Sequence, residues 1–324
     1  MLKLIQIGLG PLGIKMIQFA QQRESAFQIL GGIDIDPAAA DRVGKMLNIP
    51  TWTSLESALK SAKPDVAILT TVSDLARITP QVEEIVRHKL PIVSTCEELS
   101  HPWQTSADLA NKIDRAAKAA DVAVLGTGIN PGFLMDFLPT TLTGVCQRVD
   151  RIKVTRIQDA THRRVPFQQK IGAGLTMAEF EAKKKSGTLR HVGLTESIHM
   201  IAARMGWKLD RATDELSPIL ATRDVRSEAI SVKSGQPAGV QQIGRGIVNG
   251  EEKITLLFRA AIGEPDPRDT VEILGDPNIT STIPGGVHGD IATCAITLNS
   301  AKQILRSMPG LVTMTDIPVP SYFQ

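Results

Sequence analysis

The sequence predicts an α/β protein: a doubly wound parallel sheet, then a second α+β domain with an open, largely antiparallel sheet. Three observations carry this. Through about residue 125, short apolar runs alternate with helix-period patterns, the mark of a parallel sheet flanked by helices. Beyond residue 136 the pattern shifts to strand-like runs. Between two of them, 240–248 and 253–262, stands Asn249-Gly250, the strongest short hairpin signal in the chain. The expected domains are 1–135 and 136–290, with 291–324 returning to the first.

The chain opens on an apolar strand that breaks into Gly8-Leu9-Gly10-Pro11-Leu12-Gly13, followed by a helical pattern over 12–22. This is G-x-G-x-x-G between a strand and a helix. Gly8 permits the tight turn, Gly10 lets backbone approach a pyrophosphate, and Gly13 lets helix and strand pack closely. The helix start then faces phosphate with its partial positive charge. An ordinary strand–turn–helix also fits bare glycines, but the context favours a Rossmann-type dinucleotide domain. A second apolar run, 27–35, contains Asp34, 21 residues after Gly13, where a carboxylate accepts from a ribose diol. That carboxylate repels a 2′-phosphate, and no Arg or Lys follows until Arg42, so NAD is expected, with NADP possible.

Further along, Asp36-Pro37 starts a helix to about residue 47. Thr53 and Glu56 have capping-box spacing for the next, to about residue 61. The buried run 65–69 ends in Thr70, Thr71, Val72 and Ser73, a small polar set at a strand's carboxyl end, where open α/β sheets bind ligands. A helix over 74–88 and a strand over 91–95 lead to Thr95-Cys96-Glu97-Glu98. Ser100 and Pro102 are expected to open a long helix to about residue 120. The strand 122–125 feeds Gly126-Thr127-Gly128-Ile129-Asn130-Pro131-Gly132-Phe133.

In the second half we expect helices over 137–143, 177–186 and 195–205 and strands over 148–159, 227–233 and 269–274. Residues 168–174 read as a loop, and Thr176 with Glu179 as a second capping box. A helix over 292–305 precedes an extended tail, 308–324.

Composition narrows the function. The 36 Lys+Arg against 34 Asp+Glu leave a net charge of +2, which argues against nucleic-acid and membrane-surface binding. Lys183-Lys184-Lys185 reads as a solvated helix face. No apolar run reaches membrane-spanning length. A strand starts at once, so no signal peptide is expected. Three cysteines, Cys96, Cys146 and Cys294, lie far apart and read as reduced thiols of a cytoplasmic protein. No histidine or cysteine spacing suggests a metal.

Glu97 and Glu98 follow a strand at the sheet edge where a nicotinamide belongs. A carboxylate there can shuttle a proton and stabilise a cationic imine. Equally, both can be charges favouring a following helix start. Lys170, near Gly172 and Gly174, can hold an anionic group or be an exposed loop lysine. His288, in a glycine-rich setting, and His162 are loop histidines that reach a site or face solvent. Met200, Met205 and Trp207 fit core or pocket lining.

With these residues placed, the chain resembles the 2,4-diaminopentanoate dehydrogenase family, which includes the native amine dehydrogenases of the wider dihydrodipicolinate-reductase-like group. The carriers are GLGPLG at 8–13, STCEELSHPW at 94–103, GTGINPGFLMD at 126–136, DATHRRVPFQQKIGAG at 159–174, HVGLTES at 191–197 and PGGVHGDIAT at 284–293. The resemblance implies reversible NAD(P)-dependent deamination of an amine, in reverse the amination of a ketone or aldehyde with ammonia, by a homodimer. It implies Glu98 as the acid/base residue, in the place of a lysine that related oxidoreductases carry after Cys-Glu, with Glu97 beside the substrate. Gly8, Gly10, Pro11, Leu12, Gly13, Asp34, Thr71, Val72, Ser73, Thr95, Cys96, Asn130 and Pro131 then belong to the cofactor. Phe133, Phe137, Phe167, Lys170, Met200 and His288 face the amine or carbonyl. The paired histidines and Lys-x-Asp-Ala-Pro-Ser-Gly-Thr run of true dihydrodipicolinate reductases are missing. An imine or hydroxy-acid reductase on the same scaffold, or a non-catalytic nucleotide sensor, are the competing readings.

Overall fold

A computed structural model describes every residue except Arg190. The chain forms two compact units, Met1–Phe133 with His288–Gln324, and Leu134–Val287.

The first unit begins β1 (Leu2–Ile7), α1 (Pro11–Gln21), β2 (Phe27–Ile33), α2 (Pro37–Leu47), β3 (Thr51–Trp52) and α3 (Leu55–Leu59). It continues β4 (Val66–Leu69), α4 (Leu75–Arg87), β5 (Ile92–Ser94), α5 (Ala107–Ala119) and β6 (Ala123–Gly126). Local chemistry places most helix starts. Asp36 accepts from Ala38 N at 3.0 Å to cap α2, and Asp74 from Arg77 N at 2.7 Å to cap α4. Two expectations fail here. Ser54, not Thr53, caps α3, accepting from Ser57 N at 3.2 Å. The helix expected from Ser100 starts only at Ala107. Glu97–Leu99 forms one 3₁₀ turn instead, and the buried Ser100, His101 and Pro102 follow it. A Cβ on Gly126 would stand 2.6 Å from the Leu99 carbonyl carbon. Close packing of this segment on β6 overrides its helical signals.

The second unit holds α6 (Phe137–Leu142), β7 (Arg148–Asp159), α7 (Val165–Lys170), α8 (Met177–Lys185) and α9 (Leu194–Met205). Its strands go on as β8 (Arg211–Leu220), β9 (Val225–Arg226), β10 (Ser231–Val232), β11 (Pro237–Val248), β12 (Glu251–Ala261), β13 (Arg268–Asp276) and β14 (Ile279–Pro284). The Thr176–Glu179 capping box and the Asn249-Gly250 turn form as read. Residues 168–170 are not loop but the end of α7, whose first turn carries a proline with its φ already set for a helix. Residues 227–233 do not form one strand of the large sheet. Ser227 N bonds Ile230 O at 2.9 Å, and the turn joins β9 to β10 as a separate pair. β8 and β14 have too little apolar alternation to be legible. α10 (Gly289–Ile304) and β15 (Gly310–Val312) return the chain to the first unit.

The first unit's sheet is wholly parallel, in the order β15-β6-β5-β4-β1-β2-β3. Strand order reverses between β1 and β4, so their carboxyl ends flank the crevice where such sheets bind ligands. Its core gathers Ile5, Ala67, Leu69, Ile78, Val82, Ile92 and Val124. The second unit's sheet runs β14-β13-β7-β12-β11-β8, antiparallel except for β7 beside β12. Val240, Phe258 and Ala260 of one face join Phe180 of α8 in a buried core.

Candidate nucleotide and active site

β1 ends in a turn that only glycine fits. Gly8 has φ +91°, and a Cβ there would stand 2.8 Å from Thr70 O. On Gly13 a Cβ would stand 2.0 Å from Gly8 O. The space in front of Gly10 is open to 4 Å. Gly10 is the N-cap of α1, with Pro11 in the first turn and no side-chain cap or acidic residue. The backbone N–H groups of Leu12 and Gly13 thus open a helix whose first turn carries no capping or acidic side chain.

Asp34 turns back onto this loop. Its Oδ2 accepts from Leu9 N at 2.9 Å and its Oδ1 from Asp36 N at 3.0 Å. Asp36 is occupied in capping α2, which leaves Asp34 as the carboxylate beside the glycine turn.

The loops after β4 and β5 are laced together. Ser73 O accepts from Glu98 N at 3.4 Å and from the Cys96 thiol at 3.2 Å. Glu98 Oε2 accepts from Leu75 N, in the first turn of α4, at 2.8 Å. Among the described residues its Oε1 has no hydrogen-bond partner, and neither does the half-buried Glu97 carboxylate. Burial pushes the Cys96 thiol up, so it is a structural donor and not a nucleophile. Thr71 spends its hydroxyl on Gln81 at 2.8 Å, Val72 packs on the core, and Thr95 N bonds Leu69 O at 3.1 Å.

The loop after β6 carries an anomaly. Asn130, only 5% exposed, has neither its Oδ1 nor its Nδ2 paired among the described residues. Buried amides are normally paired, so an orphaned donor and acceptor side by side make this loop a candidate ligand contact. Ile129 N, just before it, bonds Thr293 Oγ1 at 3.3 Å. Pro131 follows and is buried, Phe133 is half-buried, and His288 is exposed at the start of α10.

Within the second unit, Phe137 begins α6 and is buried, and Met200 is 1% exposed inside α9. Met205 and Trp207 are half-buried. Phe167 lies under the Arg163 guanidinium at 4.1 Å, and Lys170 is exposed at the end of α7. The sequence reading singled out none of this unit's most unusual groups. Arg156, 2% exposed, donates to both Asp269 oxygens at 3.2 Å and to Val287 O at 3.2 Å. His191 packs on Phe258 with centroids 4.8 Å apart, and its buried Nδ1 has no hydrogen-bond partner among the described residues. Burial, with the positive charges of Lys170, Arg156 and Arg163, pushes the imidazole down to about 3. Such pairing spans over a hundred residues of chain and leaves no local signal.

Comparison with known proteins adds to this geometry. Residues 133–324 match the model of the 2,4-diaminopentanoate dehydrogenase C-terminal domain. The chain is 34% identical to a 2,4-diaminopentanoate dehydrogenase of Acetoanaerobium sticklandii over 332 positions, 98% of this chain and 94% of that one. Among solved structures it is similar to an amine dehydrogenase from Mycobacterium smegmatis, with TM-score 0.83, 22% identity and 99% and 97% of the two chains covered. The WlbA dehydrogenase of Bordetella pertussis, solved with NADH and UDP-GlcNAcA, shares the fold at TM-score 0.58 and 13% identity, covering 94% and 88%.

Proposed function

Because the chain belongs to the 2,4-diaminopentanoate dehydrogenase family, we propose that it catalyses the reversible NAD(P)-dependent oxidative deamination of a small amine, and in reverse the reductive amination of a ketone or aldehyde with ammonia. One observation carries the chemistry: the Glu98 carboxylate is held by one oxygen at the edge of the sheet that bears the glycine turn.

Three features fit a dinucleotide. The start of α1 is uncapped, the space before Gly10 is open, and the Asn130 amide offers an unused donor and acceptor to a carboxamide. Bound there, a nicotinamide supplies the hydride acceptor for deamination and the hydride donor for amination. The chain's own residues do the rest. In amination, neutral ammonia adds to the carbonyl carbon, and Glu98 takes the proton that the nitrogen loses. The same carboxyl passes it to the alkoxide oxygen, which gives the neutral carbinolamine, and, reprotonated from solvent, gives a second proton to that hydroxyl, which leaves as water. The carboxylate left behind stabilises the positive iminium. Anchoring Oε2 on Leu75 N restricts the carboxylate's rotation and leaves Oε1 for this work. Asp34 favours NAD, because it accepts ribose hydroxyls and repels a 2′-phosphate.

We assign a homodimer to the open face of the second unit's sheet. Leu257 lies opposite Ile243 and beside Thr155, with Ile157 two residues further along β7 on the same face; Leu257, Ile243 and Ile157 are half-exposed. The ion pairs Lys153–Glu272, Arg245–Glu215 and Arg259–Glu264 surround them. An apolar centre inside a polar rim is the anatomy of a protein interface.

The direct test is NADH oxidation by the purified protein across a panel of ketones and aldehydes, with and without ammonia. Turnover that requires ammonia is expected. Turnover without ammonia identifies a carbonyl reductase instead, and no turnover anywhere on the panel, extended to amines with NAD, supports a non-catalytic nucleotide sensor.

A further inference from the structure

Gln6 is out of place in its strand. β1 reads Leu-Lys-Leu-Ile-Gln-Ile and lies between β2 and β4, and Gln6 is 1% exposed. Burying an amide is costly unless it is hydrogen-bonded. Its Nε2 donates to Thr70 Oγ1 at 2.7 Å, to Gly8 O at 3.1 Å and to Ile7 O at 3.2 Å. Having accepted from Gln6, the Thr70 hydroxyl keeps its own hydrogen for Gly8 O, 3.2 Å away. Two donors, one within β1 and one just after β4, thus converge on the first carbonyl of the glycine turn.

That carbonyl belongs to a trans peptide. A trans peptide is planar, so its N–H points opposite to its C=O. The N–H of the Gly8–Leu9 peptide is the one that meets Asp34 Oδ2 at 2.9 Å. The Leu9 side chain is 1% exposed and fills the space that a Cβ on Gly32 would take, 2.7 Å from its Cδ2. The peptide is therefore held at its carbonyl, its N–H and its side chain. Gly13 makes room for the same cluster. A Cβ there would stand 2.0 Å from Gly8 O, 3.0 Å from Thr70 Oγ1 and 3.1 Å from Gln6 Nε2.

We infer that Gln6 and Thr70 are positioning residues that set nucleotide preference: by fixing the Gly8–Leu9 peptide plane, they aim the Leu9 N–H that orients the ribose-reading Asp34 carboxylate. The inference rests on the NAD-binding reading above. Free rotation of that peptide removes one of the two N–H groups holding Asp34, and a carboxylate free to turn away loses both its attraction for a ribose diol and its repulsion of a 2′-phosphate.

The test is fluorescence titration of NADH and NADPH against the full-length protein, Gln6→Leu, Thr70→Val and Thr70→Ser, with thermal melting of each without nucleotide. Loss of one oriented hydrogen bond leads us to expect a rise in NADH Kd of about tenfold in Gln6→Leu and Thr70→Val. NADPH affinity should hold or improve, so the preference for NADH falls. Thr70→Ser keeps the hydroxyl and should retain the preference. The nearly isosteric Thr70→Val carries the test if Gln6→Leu does not fold. Equal weakening of both nucleotides, the outcome of a merely structural role, overturns the inference, as does an unchanged ratio. If the unaltered protein binds neither nucleotide, the NAD reading fails and the clamp with it. If it binds NADH and the variants keep its preference, the clamp alone fails.

Discussion

The Glu98 carboxylate and the Leu75 backbone N–H are joined by a 2.8 Å hydrogen bond that ties the turn after β5 to the first turn of α4. This bond decides how the two neighbouring glutamates can be told apart. Glu98→Gln keeps an oxygen to accept from Leu75 and removes only the base and the charge. Turnover should then fall about 10²–10⁴-fold with NADH binding nearly intact, the usual worth of positioned proton transfer. Glu97→Gln should be milder. Steady-state amination rates beside NADH titrations check both, and a severe loss confined to Glu97→Gln reverses the assignment.

Asp34 should set cofactor choice directly. Asp34→Ala removes the acceptor for Leu9 N and Asp36 N together with the negative charge. Use of NAD should weaken and use of NADP improve, as when a repulsive group is deleted. The ratio of kcat/KM for the two cofactors measures this, and an unchanged ratio removes Asp34 from the ribose site.

Asn130 should cost binding without supporting the fold. Its amide has no partner among the described residues, so Asn130→Leu, close in volume, gives up none of their hydrogen bonds. We expect thermal stability to hold or rise while NADH affinity falls about tenfold, one hydrogen bond to a ligand group being worth that much. A drop in melting temperature with unchanged NADH affinity assigns Asn130 to structure.

His191 should make stability fall in mild acid. Its pKa is pushed from the ordinary 6.5 down to about 3 in the folded protein. Between those values the unfolded chain takes up a proton that the folded one refuses. The contribution is therefore intact above pH 6.5 and is lost as pH falls toward 3, at up to about 1.4 kcal/mol per pH unit. Denaturant midpoints from pH 7.5 to 5 should decline more steeply for the unaltered protein than for His191→Phe. Parallel curves refute this.

Leu257 should govern assembly. Leu257→Asp places a charge opposite Ile243 at the centre of the open sheet face. Light scattering should give a dimer for the unaltered protein and a monomer for the variant. A monomer for both, at working concentration, removes the dimer.

Legibility in the sequence followed the range of each interaction. The glycine turn, Asp34 as the acid following β2, the Thr176–Glu179 capping box and the Asn249-Gly250 hairpin depend on short stretches of chain, and all four could be read. The helix expected from Ser100 could not, because close packing against Gly126 outweighs its local start signals. Nor could α7, whose Gln168 donates to three backbone carbonyls, Ala160, Thr161 and Arg163, that composition does not display.

By itself, then, the sequence determined the parallel α/β class, the position of the glycine turn and the pair of candidate glutamates, since turn geometry, capping and strand burial act over a few residues. Only the tertiary structure decided which groups those residues meet: Glu98 with Leu75, Asp34 with Leu9, Gln6 with Thr70, Arg156 with Asp269. Sheet order and register create these pairs across 23, 25, 64 and 113 residues. An unpaired amide such as that of Asn130 becomes visible only when every neighbour has been placed.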